Sequence, residues 1–326
     1  MKDKTMRLSI IASYIDGLLK EKHAAGYSYH SEKLVLNRFD TYCVNNKLDT
    51  LNITKAFLSG WMERTENEGA FNQGKRISCV KQLLLYMASC GIEVYIPHDF
   101  CHFTRALPHI FDQEEIDAFF KELDTCQPRL YRPKEVLLHA EYRLIFRLYC
   151  CLGLRNSEAA GIASENINLK EGILTILDSK GYKDRLVYLS DDLATSCRDY
   201  YDYLYNTLKF YPKWFFPGMN PEKPLTNTTI GSVFKRFWNK TLYAGCNNEP
   251  TVHDFRFTFV VRRMNLWAER GLDLQVMMPY LSRYLGHKST NETFYYYYLV
   301  NDAYKTIAQR DTMAGDVIPE VKLYEE

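Results

Sequence analysis

A single pair of β-rich runs stands in a chain whose other apolar residues recur at helical spacing. Residues 172–178 (GILTILD) and 184–190 (DRLVYLS) are separated only by Ser179-Lys180-Gly181-Tyr182-Lys183, so the sequence predicts one hairpin. The part of the chain that holds it is therefore expected to be mostly α with one small sheet.

Helical spacing begins near the N-terminus. Ile10, Ile11, Tyr14 and Leu18 recur on one face, and Leu34, Leu36, Phe39 and Tyr42 do so less strictly. Residues 53–64 and 75–89 predict two more helices, the second ending at Gly91. The stretch 94–110 carries two prolines and little periodicity, and it reads as a linker. A helix then starts near Asp112, and another covers about 137–152 before Gly153 breaks it. After the hairpin, helices are expected at about 191–209, 228–243, 252–269, 273–285 and 290–299. Thr251 with Asp254 and Ser289 with Glu292 have capping-box spacing, and Gly271 is a good helix stop. The expected organisation is a helical domain at 1–93, a linker at 94–110, a mainly α domain with a small β-sheet at 111–300, and a tail at 301–326.

Length supports two domains, since 326 residues exceed the roughly 100–200 of one domain. The nine cysteines include no CxxC pair, which argues against a zinc ribbon or a disulfide framework and suits a reducing cytosol. His98, Cys101 and His102 lack a fourth ligand and read as incidental. The opening residues MKDKTMRLSI have no apolar core, so no signal peptide is expected. Arg143 and Arg147 interrupt the best apolar stretch, and no membrane span is expected. Net charge is +1, but the last 26 residues hold six acidic and three basic side chains. The remainder carries 38 basic against 34 acidic residues, which permits a nucleic-acid partner without requiring one.

Several polar residues have ordinary readings when taken singly. Arg155 follows a helix break, Lys180 and Lys183 flank a hairpin tip, and His253 and Arg256 share a face at a helix start. His287 follows Leu-Gly, where a histidine complements a helix dipole. Tyr295–Tyr298 could pack on all sides of a buried helix.

Their order changes the reading. Leu154-Arg155-Asn156-Ser157-Glu158, the Lys180-Gly181-Tyr182-Lys183-Asp184-Arg185 hairpin, His253-Asp254-Phe255-Arg256 and Leu285-Gly286-His287 occur in sequence, followed by tyrosines. This pattern resembles the tyrosine recombinase (phage integrase) family, of the short, Xer-like or mobile-element type. The resemblance implies a helical core-binding domain plus an α+β catalytic domain that embrace duplex DNA. It also implies a nucleophile nine residues after the last histidine, which is Tyr296. A helix turns about 100° per residue, so only one of the four tyrosines can face a pocket.

The chemistry fits these residue types. Arg155 and Arg256 can bind two non-bridging phosphate oxygens as charge grows on them. A tyrosine hydroxyl is a competent nucleophile once its proton is drawn off, and His253 is the available general base. Lys180 can protonate the leaving 5′ oxygen, His287 can hydrogen-bond the phosphate, and Glu158 can orient Arg155 or a histidine. No carboxylate cluster for Mg²⁺ is seen, so no metal, ATP or other cofactor is expected. The resemblance further implies double-stranded DNA with specific sites as substrate. It implies a monomer in free solution, a homotetramer on paired sites, and a cytoplasmic, nucleoid-associated location. The alternatives are DNA relaxation of the type IB topoisomerase kind and a relative that only binds DNA. The tail is acidic, yet Val317, Ile318, Val321, Leu323 and Tyr324 give it an apolar side. The resemblance suggests that this side docks on a neighbouring protomer, and packing in cis is the alternative.

Overall fold

The computed structural model describes residues 7–98, 107–128, 133–177, 184–245, 249–287 and 293. Lys180, Lys183, Tyr295–Tyr298, the Ser289–Glu292 pair and the tail lie outside the described residues. The chain divides into two compact units, residues 1–105 and 106–326. Of the stretch 94–110, Val94, Tyr95 and Ile96 pack on the core of the first unit, and Ile110 packs on that of the second.

Among its described residues the first unit contains four helices: α1 (Ala12–Ala24), α2 (His30–Asn45), α3 (Lys55–Met62) and α4 (Ala70–Ser89). Ile11, Ile15, Leu18 and Leu19 form the buried stripe of α1, while Ile10 is exposed. They meet Leu36, Phe39 and Cys43 of α2 and Val80, Leu83, Leu84 and Met87 of α4 in one core. Buried Asp40 accepts from the backbone N–H groups of Leu8 and Ser9, which ties the chain ahead of α1 to α2. Arg76 closes the turn between α3 and α4. It donates to both carboxylate oxygens of Glu68, at 2.8 and 2.6 Å, and to the carbonyls of Trp61 and Glu63. Gly91, at φ +85°, ends α4 as its sequence position predicts.

The second unit is built around α6 (Pro133–Leu152), which follows α5 (Gln113–Thr125). A full capping box between Asp112 and Glu115 starts α5. Leu137, Tyr142, Ile145, Phe146, Leu148, Tyr149 and Leu152 of α6 are all buried, so this helix is central rather than amphipathic. Short α7 (Asn156–Ala160) and a 3-10 turn lead into a three-stranded antiparallel sheet of β1 (Ile167–Asn168), β2 (Ile173–Ile176) and β3 (Arg185–Tyr188). The predicted hairpin is β2–β3, with Leu174 opposite Val187 on the buried face and Ile176 opposite Arg185 as the last pair before the connection. Strand β1 is only two residues long and leaves no alternation to detect. Among the described residues the helices α8 (Asp191–Leu208), α9 (Asn227–Trp238), α10 (Asp254–Glu269) and α11 (Leu274–Leu285) follow. Phe111, Phe119, Phe146, Phe234 and Phe255 interlock at the centre, with ring centroids from 4.8 Å (Phe111–Phe255) upward.

Helices α4 and α6 start earlier than expected, at Ala70 rather than 75 and at Pro133 rather than 137, and α9 and α10 also differ. Helix α9 stops at Trp238 rather than continuing to 243, because the chain turns there through Thr241, whose hydroxyl donates to the Trp238 carbonyl. Helix α10 starts at Asp254 with His253 as its N-cap. The Asp254 carboxylate reaches back to the Thr251 N–H and hydroxyl, at 2.6 and 2.8 Å, but the Asp254 N–H bonds the Thr251 carbonyl instead of its side chain. Only half of the expected capping box forms. Gly271, at φ +68°, ends α10 as expected.

Glu141 of α6 is fully buried and accepts from the Gly218 N–H. Burial pushes its carboxyl up from 4.5 to about 8, against the pull of that N–H. The protonated acid therefore favours the fold below pH 4.5, and this advantage is lost as pH rises towards about 8. Glu141→Gln keeps an uncharged acceptor for Gly218. It is expected to raise unfolding free energy at pH 8 by about 1–3 kcal/mol and to have little effect at pH 4.5. Denaturant titrations at the two pH values check this.

Candidate active site

The site forms where α6 ends, α7, β3 and α10 begin, and α11 ends. The chain leaves α6 at Gly153, which adopts φ +61°. A Cβ at Gly153 would lie 2.5 Å from Phe259 Cδ1, so both the backbone angle and the close approach require glycine. This sharp exit makes Arg155 the N-cap of α7 in an extended conformation. The Arg155 N–H donates to Glu158 Oε2 at 2.9 Å, and Arg155 Nη1 donates to Glu158 Oε1 at 2.7 Å. Arg155 Nη2 reaches across the fold to the Gly286 carbonyl at 2.9 Å.

Glu158 also holds a second arginine. Arg185, the first residue of β3, donates from Nη1 and Nη2 to its two oxygens at 3.0 and 2.8 Å. Burial alone would raise the Glu158 carboxyl. The hydrogen bonds and charge of Arg185, together with the backbone and side chain of Arg155, outweigh it and hold the group at about 2. Nε of Arg185 is buried and has no hydrogen-bond partner among the described residues.

Arg256 lies in the first turn of α10 and is 1% exposed. Nη1 donates to the Gly153 carbonyl at 2.8 Å, and Nη2 donates to the Leu285 carbonyl at 2.8 Å and to His287 Nε2 at 3.0 Å. Its fork thus spans the end of α6 and the end of α11. Gly286 terminates α11 in the left-handed region, at φ 65°, and the His287 N–H bonds the Ser282 carbonyl. A Cβ on Gly286 would stand 3.0 Å from Arg185 Nη1 and 3.5 Å from Arg155 Nη1, so glycine lets the α11 terminus close on both arginines. His287 is buried, and its Nδ1 lies 2.7 Å from Thr293 Oγ1. Burial, then the charges of Arg256, Arg155 and Arg185, push its pKa down to about 3, so the ring is neutral. His253 is exposed one turn ahead of Arg256, its ring edge-to-face with Phe257 at 5.1 Å.

Arg155, Glu158, Arg256 and His287 are thus brought into one hydrogen-bonded constellation, with His253 at the start of the helix that carries Arg256. Lys180 falls between Ile176 and Arg185, which pair at the end of the hairpin. Lys180 and Tyr296 lie outside the described residues. Two members were not anticipated. Arg185 belongs to the hairpin motif, but sequence gave no reason to place it on Glu158. Thr293 carried no signal beyond its position between His287 and the tyrosines. Three guanidiniums face one carboxylate and a neutral imidazole here, which leaves a positive surplus suited to an anion. Arg155 is the most open of the three, at 18% side-chain exposure against 7% for Arg185. Among the described residues no group of three or more His, Cys, Asp or Glu is placed to hold a metal ion, and no helix is long and apolar enough to cross a membrane.

Comparison with known proteins bears on this site. A family model described as the phage integrase family matches residues 110–303, which include every residue of the constellation. The chain is similar to a putative integrase/recombinase, y4rB, of Sinorhizobium fredii, with 23% identity over 89% of this chain and 93% of that protein. It is similar to tyrosine recombinase XerD of Proteus mirabilis, with 23% identity over 94% of this chain and 93% of that one. In fold it is similar to the Tn1549 transposon integrase in complex with transposon right end DNA. There the TM-score is 0.64 and the identity 16%, over 91% of this chain and 99% of that one. The XerH site-specific recombinase in a post-cleavage complex gives a TM-score of 0.59 at 21% identity, over 86% of this chain and 79% of that one.

Proposed function

The chain belongs to the phage integrase family and is a tyrosine-type site-specific DNA recombinase, and we propose that it exchanges strands through a 3′-phosphotyrosyl intermediate and a Holliday junction. The observation that carries this reading is the arginine fork system. Arg155 and Arg256 come from elements far apart in sequence, yet both end at the α11 terminus beside His287. An anion is the ligand that such a cluster favours, and a phosphodiester offers two non-bridging oxygens to match two planar donors.

In the proposed reaction, the Tyr296 hydroxyl attacks the scissile phosphorus and His253 draws off its proton. The bond to the 5′ oxygen breaks, and Lys180 gives that oxygen a proton. Arg155, Arg256 and His287 bind the non-bridging oxygens, and Glu158 holds Arg155 in place. The 5′ hydroxyl of a partner strand then attacks the phosphotyrosine and regenerates Tyr296. One phosphodiester is made for each one broken, so the chemistry calls for no cofactor. Four protomers act on two paired duplex sites, and the free protein is a monomer.

Two measurements test this reading. Two differently labelled duplexes carrying the target site should yield recombinant joints and a covalent protein–DNA adduct that survives denaturation. Relaxation of supercoils without joints would assign a topoisomerase-like activity, and absence of the adduct would leave DNA binding alone.

Arg155→Lys keeps the charge but loses the planar fork that serves Glu158 and Gly286 together. DNA affinity is expected to stay within about threefold, because affinity is spread over many phosphates. Cleavage is expected to fall about 10²–10³-fold. Equal losses of binding and cleavage would reduce Arg155 to a backbone contact.

A further inference from the structure

Thr293 meets His287 at a ring of which the reaction asks two different things. Arginine is a permanent donor, so His287 Nε2, 3.0 Å from Arg256 Nη2, accepts in the free protein. The ring is neutral, and its one proton therefore sits on Nδ1 and is donated to Thr293 Oγ1 at 2.7 Å. Thr293 is fully buried, which keeps this contact out of water.

A scissile phosphate changes the requirement. The two protons of Arg256 Nη2 go to the Leu285 carbonyl and to His287 Nε2, so turning Nη2 on a phosphate oxygen releases an acceptor. His287 can meet the same anion only as a donor, because a lone pair facing a phosphate oxygen is repelled. The ring proton must then reside on Nε2, and Nδ1 becomes an acceptor. A carbonyl or carboxylate opposite Nδ1 would hold the proton there. A hydroxyl rotates and can donate or accept.

We infer that Thr293 is a positioning residue for His287, its hydroxyl accepting from Nδ1–H in the free protein and donating to Nδ1 when Nε2–H binds the scissile phosphate. The proton lost from Nδ1 and the one gained at Nε2 exchange with water as the site opens to take DNA, before the contact is closed from solvent again, so the ring's charge is unchanged. This rests on the phosphate-binding role proposed above for His287, and it deepens that role.

The test uses four side chains at position 293, compared by single-turnover cleavage of a site-bearing duplex in the full-length protein. Thr against Thr293→Val, and Thr293→Ser against Thr293→Ala, are two pairs that each exchange a hydroxyl for hydrogen or methyl. Within each pair, loss of the hydroxyl is expected to slow cleavage about 10–10²-fold with DNA binding within about twofold. Thr293→Ser should stay within about threefold of the parent. In a His287→Gln background, which is itself slow, Thr293→Val should add nothing. The Ser–Ala pair keeps the comparison available should valine prevent folding. Rates that sort by side-chain size rather than by hydroxyl would overturn the inference, as would a full additional loss in the His287→Gln background. Cleavage at the parental rate by His287→Gln itself would instead remove the underlying reading of His287.

Discussion

Tyr296→Phe is expected to abolish covalent attachment to DNA, a fall of at least about 10⁴-fold in cleavage, while site-specific binding is retained. The ring is kept and only the attacking oxygen is lost, so nothing remains to form the bond to phosphorus. No water-mediated cutting should replace it, because the proposed site activates a phenol rather than a water molecule. Denaturing gel electrophoresis with a nicked site, which traps the adduct, reads the loss. The same substitution at Tyr295, Tyr297 or Tyr298 should leave the adduct at within about tenfold of the parent, since the proposed reaction gives the attacking oxygen to Tyr296 alone. Persistence of the adduct in Tyr296→Phe would reassign the nucleophile within the run.

Lys180→Ala is the second large expected effect, a loss of about 10²–10⁴ in cleavage rate. The 5′ alkoxide is a poor leaving group unless it is protonated as the bond breaks. Replacing that bridging oxygen by sulfur makes a leaving group that needs no proton. A 5′-thio substrate should therefore restore most of the loss in Lys180→Ala, and it should do little for Arg155→Lys, whose defect lies on the non-bridging oxygens. Rescue of Lys183→Ala with none for Lys180→Ala would exchange the two lysines. Both lysines fall in sequence between Ile176 and Arg185, and the family pattern favours Lys180.

What was legible in the sequence follows the range of the interactions involved. Gly91, Gly153 and Gly271 each end a helix at positive φ, a local requirement that a single residue type announces. The β2–β3 hairpin was legible for the same reason, as two β-rich runs a short turn apart. Strand β1 and helix α7, at two and five residues, are too short for periodicity to register and exist because the tertiary fold holds them. The half-formed cap at Thr251 shows a local rule overridden, since the backbone carbonyl won the N–H that the side chain was expected to take. The ordered boxes indicated that Arg155, Arg256 and His287 belong together, but not how. Arg155 bonds a carbonyl 131 residues away, and Arg185 shares a carboxylate 27 residues away. Contacts of that range leave no spacing rule in one sequence. The partnership of Thr293 with His287 is closer, six residues apart, but two polar side chains at that separation match no periodicity rule.

The central claim is that this arginine and histidine cluster serves a tyrosine that becomes joined to DNA. The most direct measurement is to trap the protein on a nicked target duplex, digest both components and identify the nucleotide-bearing peptide by mass spectrometry. The account predicts a 3′-phosphonucleotide on the peptide spanning Tyr295–Tyr298, with fragmentation placing it on Tyr296. A nucleotide on a residue outside that run, or linkage through a 5′ phosphate, would contradict it.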